Sequence, residues 1–260
     1  MILSRRVALN GVQLDEVDSR IVIQAVECGQ GKDTISLTQL PGGGSRVTAR
    51  GRESTDVVVR FSIHARKKVM PERHEVFEKV VGWAAKGGWL TTSERPLRRI
   101  RVFLAETPAA GDMWQWTNVY ALTFRACGNP YWQDLYPSEL QTPMSGSITK
   151  ALGVPGNTSG PLEFSFRNTG GATVDSFDIT AGGYAIHLRG LGLASGQTLT
   201  LDHTDDGERY VQRIRIGSRS VLGCRTAGSH DELMAKPGSV QVTASGGNGV
   251  LTISAGGRYL

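Results

Sequence analysis

The chain has 260 residues, of which 39% are hydrophobic and 20% charged, and it carries a formal net charge of +5. That length accommodates two ordinary domains, the composition excludes a disordered chain, and no apolar run approaches the ~20 residues of a membrane span. The charge is weak for a nucleic-acid binder, and Cys28, Cys127 and Cys224 are too widely spaced for a disulfide framework or a Cys-rich zinc motif, which suggests a reducing compartment.

Met1-Ile2-Leu3-Ser4-Arg5-Arg6 places its charge after the apolar residues and lacks a small-residue cleavage site, so no signal peptide is expected. Next comes Gly42-Gly43-Gly44-Ser45-Arg46, running into Arg50-Gly51-Arg52. This reads as a flexible arm bearing three arginines, suited either to an inter-subunit or anion contact or to a solvated loop. In Asp56–Ala65, Val57, Val59, Phe61, Ile63 and Ala65 share one face, and Val58, Arg60, Ser62 and His64 the other. That is the period-two pattern of a half-buried antiparallel strand. Arg66-Lys67-Lys68 then ends the strand and reads as simple surface.

One helix is expected over about 71–87. Pro71 suits its first turn, Glu72 and Glu75 its positive end, and Gly87-Gly88 its stop. Val76, Phe77, Val80, Val81 and Ala84 form an apolar stripe along it. Further strands follow, one around Ile100, Val102 and Leu104, another from Trp114 to Cys127 with Tyr120, Leu122, Phe124 and Ala126 on one face. Pro130, Pro137 and Pro143 then mark a join.

The second half has a different texture: 21 of the 33 glycines lie in residues 141–260. Turns are expected at Gly170-Gly171, Gly182-Gly183, Ser195-Gly196, Asp206-Gly207, Gly217-Ser218 and Gly246-Gly247, with short alternating strands between them. No helix of any length is expected there, and the pattern indicates a β sandwich or barrel. The whole is therefore mainly β: residues 1–134 form an antiparallel β domain with one helix, 135–143 a linker, and 144–260 a sandwich.

Chemical signals are sparse. There is no phosphate loop and no dinucleotide fingerprint. His64, His74, His187, His203 and His230 include no pair at ligand spacing and read as solvated surface residues, so neither a metal nor a cofactor is expected. Ser159 is one place out of register for a nucleophile elbow, and Asp202–Gly207 reads as a hairpin turn. Arg209, Arg213 and Arg215 share a strand face and read as solvated. No basic run is interleaved with aromatics, so no direct nucleic-acid recognition is expected.

The order of short motifs resembles a known family. Leu9-Asn10-Gly11-Val12, Leu40-Pro41-Gly42-Gly43-Gly44, the Gly87-Gly88-Trp89-Leu90 step after the helix and Asn129-Pro130-Tyr131-Trp132 follow one another as in the N-terminal domain of the distal tail protein of siphophages and prophages. The second half resembles that family's galectin-like sandwich, down to the closing Gly256-Gly257-Arg258-Tyr259-Leu260. The all-glycine loop after Pro41 departs from the pattern, where a charged residue is usual. The resemblance implies a structural, non-enzymatic protein of the virion tail tip, assembled in the host cytoplasm. It further implies a hexameric ring joining the tail tube protein to the tail-tip hub protein and, in some phages, to receptor-binding proteins, without membrane insertion. Arg46, Arg50 and Arg52 are the candidate inter-subunit arm. The competing classes are a carbohydrate-binding baseplate adhesin and a cell-wall polysaccharide hydrolase.

Overall fold

A computed structural model describes residues 5–29, 31–39, 43–64, 70–107, 119–205 and 209–260. The chain divides into two units, Met1–Tyr131 with Asp205–Tyr210, and Trp132–Thr204 with Val211–Leu260. Trp114, Trp116, Ala65, the Arg66-Lys67-Lys68 run, Gly42 and the Asp206-Gly207 turn all fall outside the described residues.

In the first unit the chain forms β1 (Val7–Leu9), β2 (Val12–Gln13), α1 (Leu14–Val17), β3 (Ile21–Cys28), β4 (Lys32–Gln39) and β5 (Ser45–Ile63). It continues through α2 (Met70–Ala84), β6 (Gly88–Thr92), β7 (Arg95–Glu106) and β8 (Val119–Ala126). The sheet runs in the order β2-β1-β6-β7-β8-β5-β3, with β4 paired to β5.

Alternation decides which face of this sheet is buried. Val57, Val59, Phe61 and Ile63 on β5 and Leu122 and Phe124 on β8 are all fully buried, whereas Arg60 and His64 face solvent. Ser62 departs from the pattern: it is buried and accepts a hydrogen bond from Gln24 Nε2 at 2.7 Å. Helix α2 covers the apolar face with Val76, Phe77, Val80 and Ala84, joined by Trp83. Phe77 lies 5.5 Å from Tyr120, and Trp83 stands edge-on to Phe124 at 6.0 Å while its indole N–H donates to the Val12 carbonyl at 3.1 Å. The helix stops at Ala84, and Gly87, at φ 57°, donates back to the Ala84 carbonyl, as a left-handed C-terminal glycine does.

Helix α1 is absent from the expectations. It is too short for periodicity to register, and it exists because Leu14 is fully buried and Glu16 accepts a hydrogen bond from the Gln13 amide at 3.0 Å. Just beyond it, two hydrogen bonds from the Arg20 side chain, at 2.7 and 2.8 Å, hold the Asp18 carboxyl well below the usual carboxylate range. A depressed carboxyl contributes stability that is present above its unfolded pKa and is lost as pH falls. The stability gap between wild type and Asp18→Asn is therefore expected to be constant above about pH 5 and to close progressively below about pH 4. Urea titrations at several pH values measure it.

In the second unit the strands are β9 (Trp132–Asp134), β10 (Ser138–Val154), β11 (Gly160–Asn168), β12 (Val174–Ala181), β13 (Tyr184–Leu193) and β14 (Thr198–Asp205). They continue with β15 (Tyr210–Ile216), β16 (Arg219–Ser220), β17 (Met234–Ala235), β18 (Gly238–Ala255) and β19 (Arg258–Tyr259). The order is β13-β12-β18-β11-β14-β15-β16, with β10 along the other edge of β18 and β17 on β11. Among the described residues its helical content is one short 3-10 turn, Leu222–Cys224. Gly182 and Gly183, at φ 57° and 91°, make the two-residue hairpin between β12 and β13 that Gly-Gly favours.

Two expectations are corrected here. Gly246-Gly247 is not a turn but a bulge within the 18-residue β18, opposite a register shift between Gly146 and Ser147 on β10. Before the bulge, β18 pairs with β12 (Asp178↔Ser245 to Ala181↔Val242), and after it with β11 (Leu162↔Ala255 to Asn168↔Gly249). One strand thus serves both leaves of the sandwich by bending at glycines. Only glycine fits there, since a Cβ at Gly246 would collide with the Ser176 carbonyl oxygen and one at Gly249 with that of Arg167. Secondly, 135–143 is no simple linker. β10 begins at Ser138 and pairs without interruption through Thr142↔Leu251 and Pro143↔Val250. Pro143 is tolerated because the missing N–H costs nothing where a ladder position needs no donor.

The sandwich core is aliphatic around three stacked rings. Phe177 lies 5.5 Å from Phe164 and 4.9 Å from Phe166, and Leu188, Leu199, Leu201 and Leu251 close around them, fully buried. The C-terminus is pinned by Asp134, whose carboxylate accepts from the Gly257 amide at 3.0 Å and the Tyr259 hydroxyl at 2.8 Å.

Candidate assembly surface

The three arginines of the expected arm lie on a strand, not on a flexible loop. From Ser45 to Ser54, among the described residues, β5 pairs only with β4, in a ladder from Gln39↔Ser45 to Lys32↔Ser54. Further along, β5 enters the sheet between β3 (Cys28↔Val57) and β8 (Thr55↔Ala126). Ten residues of β5 thus form a two-stranded ribbon about 33 Å long beyond the sheet. Alternating polar and apolar residues (Thr34, Ile35, Ser36, Leu37, Thr38), several of them β-branched, favour strand over loop, and only the glycines had suggested otherwise.

Residues Thr34 to Gln39 are exposed without a break, so both faces of the ribbon meet solvent. On one of them Ile35 is 53% exposed and Leu37 61%, and Val47, directly opposite Leu37, is 54% exposed. Isolated two-stranded ribbons are marginally stable in water. An apolar stripe along one is therefore the feature of this unit that most needs a partner.

Arg46 pairs with Thr38 toward the tip and is exposed, and Arg50 pairs with Ile35 in mid-ribbon. Arg52, at the base, is half-buried with its guanidinium 5.7 Å from the centre of the Tyr131 ring. They are strung along about 20 Å of strand. The apolar residues beside them were missed, although Ile35 and Leu37 alternate with Thr34, Ser36 and Thr38 in the sequence.

Elsewhere the structure pairs groups that had read as solvated. His203 is not a surface residue: its side chain is 2% exposed, with Nδ1 3.2 Å from Glu163 Oε1. His187 Nδ1 lies 2.9 Å from Asp178 Oδ1, which also accepts from Arg189 at 2.7 Å. Burial opposes ionisation of Asp178, and its hydrogen bonds from Arg189 and His187 outweigh that, leaving the carboxyl below its ordinary value. Asp202 lies on β14 and accepts from Arg213 at 3.0 and 3.2 Å and from Arg215 at 2.6 Å. Among the described residues no group of three His, Cys, Asp or Glu side chains could hold a metal ion.

The whole chain superposes on the crystal structure of the SPP1 Dit (gp 19.1) protein, described as a paradigm of the hub adsorption apparatus in Gram-positive-infecting phages. The TM-score is 0.68 at 11% identity, covering 98% of this chain and 99% of that one. The baseplate of phage p2 in its activated conformation matches with TM-scores of 0.48 (with Sr) and 0.47 (with Ca), both at 7% identity, covering 96% and 97% of this chain and 97% and 98% of those chains. No family model and no curated relative matches the sequence. At such identity the likeness to the SPP1 protein is one of fold: an N-terminal antiparallel β unit with one main helix, followed by a β sandwich.

Proposed function

We propose that this chain is a structural component of a phage or prophage tail tip, acting as a distal tail protein. In this reading it forms a ring, of six subunits, between the tail tube protein and the tail-tip hub protein, with receptor-binding proteins as further neighbours. The observation that carries the proposal is the fold match with a hub adsorption protein over nearly the full length of both chains. The exposed ribbon supports it, because cyclic assemblies close through a patch on one subunit meeting a different patch on the next. The protein works at the virion tail tip after assembly in the host cytoplasm, and it is not an enzyme.

Light scattering over a wide concentration range, together with negative-stain imaging of purified tails, tests this reading. Six-fold rings in solution or at the tail tip are expected. A protein that stays monomeric at every concentration and is missing from purified tails would overturn it.

Tyr136 supports the alternative of a carbohydrate-binding adhesin, because it is 74% exposed and an open aromatic ring is what a sugar stacks on. Of the other rings, Phe164, Phe166 and Phe177 form the core, Tyr184 leans on His230 at 5.1 Å, and the Tyr259 hydroxyl donates to Asp134 at 2.8 Å. Glycan-array binding by the wild type, lost in Tyr136→Ala, would favour the adhesin over a purely structural role.

A further inference from the structure

The outer face of the first unit's sheet treats its arginines in two ways. Arg125 is clamped by Asp56 at 2.7 and 2.9 Å, and Arg60 is held by Glu27 at 2.7 Å. Arg99 and Arg101, two places apart on β7, have no carboxylate partner among the described residues. Instead their guanidinium carbons lie 4.2 and 5.6 Å from the centre of the Trp89 ring. The Nε of each is buried and finds no hydrogen-bond acceptor among the described residues.

Strand register makes these residues part of one surface. Arg101 pairs with Trp89 and Arg99 with Thr91; Thr91 pairs with Ala8, and Ala8 with Gln13. A row therefore crosses four strands on one face, and an open cleft of about 370 Å³ lies along it, lined by Arg6, Gln13 and Thr91 among others. At the edge, the register shift between Thr91↔Arg99 and Thr92↔Arg95 pushes out Pro96, Leu97 and Arg98. Leu97 is 69% exposed at φ 63°, a left-handed conformation uncommon for a bulky residue and concentrated at functional sites.

We propose that this face docks a partner protein that presents carboxylates from an extended acidic segment. A planar guanidinium resting on an indole, with its Nε buried, leaves its two terminal Nη groups for bidentate contact with a carboxylate. Side chains two places apart on β7 are about 6.6 Å apart along the strand, the spacing of alternate carboxylates in another extended segment. With two guanidinium groups over it, the Trp89 ring is not open to stack a base or a sugar, which disfavours nucleic acid and glycan. Tryptophan and arginine are also the residues most enriched in binding hot spots, and Leu97 supplies an apolar anchor beside them. The inference stands on the patch itself and does not depend on ring formation. Under the tail-tip reading, the partner is a neighbouring tail protein.

The test uses the full chain and a fluorescein-labelled seven-residue peptide of alternating glutamate and valine, followed by anisotropy at low ionic strength. Arg99→Gln with Arg101→Gln is expected to weaken binding about tenfold, whereas the charge-matched control Lys150→Gln with Arg167→Gln changes it by less than about twofold. Arg99→Lys with Arg101→Lys keeps the charge and the fold but loses the planar fork, and is expected to fall between the two. An equal loss in the glutamine and control doubles would overturn the proposal. So would equal binding of a glutamine–valine peptide, which would show that carboxylates are not read. Tighter binding of oligothymidylate, lost with the same arginines, would replace the acidic protein with a nucleic acid.

Discussion

Leu37→Asp or Val47→Asp is expected to abolish the proposed ring assembly while leaving the single chain folded. Both side chains are more than half exposed on the ribbon and face each other across the ladder, so the monomer loses little when either becomes charged. Exposed substitutions of this kind change stability by about 0.5 kcal/mol or less, which leaves the melting temperature within about 2 °C. In a ring, the same change would bury an unpaired carboxylate at every subunit contact, at a cost of several kcal/mol each. Val211→Asp provides the control, being 51% exposed but located on β15 in the second unit. Light scattering on the three variants should show the ring in the control alone. If all three assemble like the wild type, the ribbon is not the contact.

Phe177→Ala is expected to be the most destabilising single substitution in the sandwich. The ring is fully buried and stacks on both Phe164 and Phe166, so truncation leaves a cavity lined by two aromatic rings that cannot collapse into it. Phe→Ala changes in such settings cost about 3–5 kcal/mol. For a unit of this size that corresponds to a fall of about 10–20 °C in its melting temperature. Calorimetry should show the loss in one transition, and hydrogen exchange should confine it to strands β11, β12 and β18. Phe177→Leu, which keeps most of the volume, should recover most of it. A fall of only a degree or two in the alanine variant would show that the three rings are not packed as described.

Much of the fold was legible because burial acts through periodicity. Val57, Val59, Phe61 and Ile63 alternate in sequence and are all buried, and the helical stripe from Val76 to Ala84 lies against the sheet. Glycine was harder to read, because one residue type serves opposite purposes. Gly182-Gly183 reverses the chain, whereas Gly246-Gly247 lets a strand continue through a bend between two leaves. Both show glycine pairs between alternating runs, and only the long-range partners, β12 before the bend and β11 after it, separate the cases.

The candidate surface divides along the same line. The sequence by itself determined the mainly β class and the main helix, since these depend on local pattern. That Arg46, Arg50 and Arg52 belong to a ribbon, with Leu37 facing Val47, depended on the pairing of β4 with β5. Asn10 shows how far such pairing reaches: its side chain donates to the Gly87 carbonyl at 2.8 Å and accepts from the Trp89 amide at 2.9 Å. Asn10-Gly11 and the Gly-Gly-Trp step, recognised as separate motifs, are in fact one joint. The arginine-and-tryptophan patch was invisible for the same reason. Trp89, Arg99 and Arg101 acquire meaning together only when β6 and β7 align, because register between strands is a property of the folded sheet and not of any short stretch of chain.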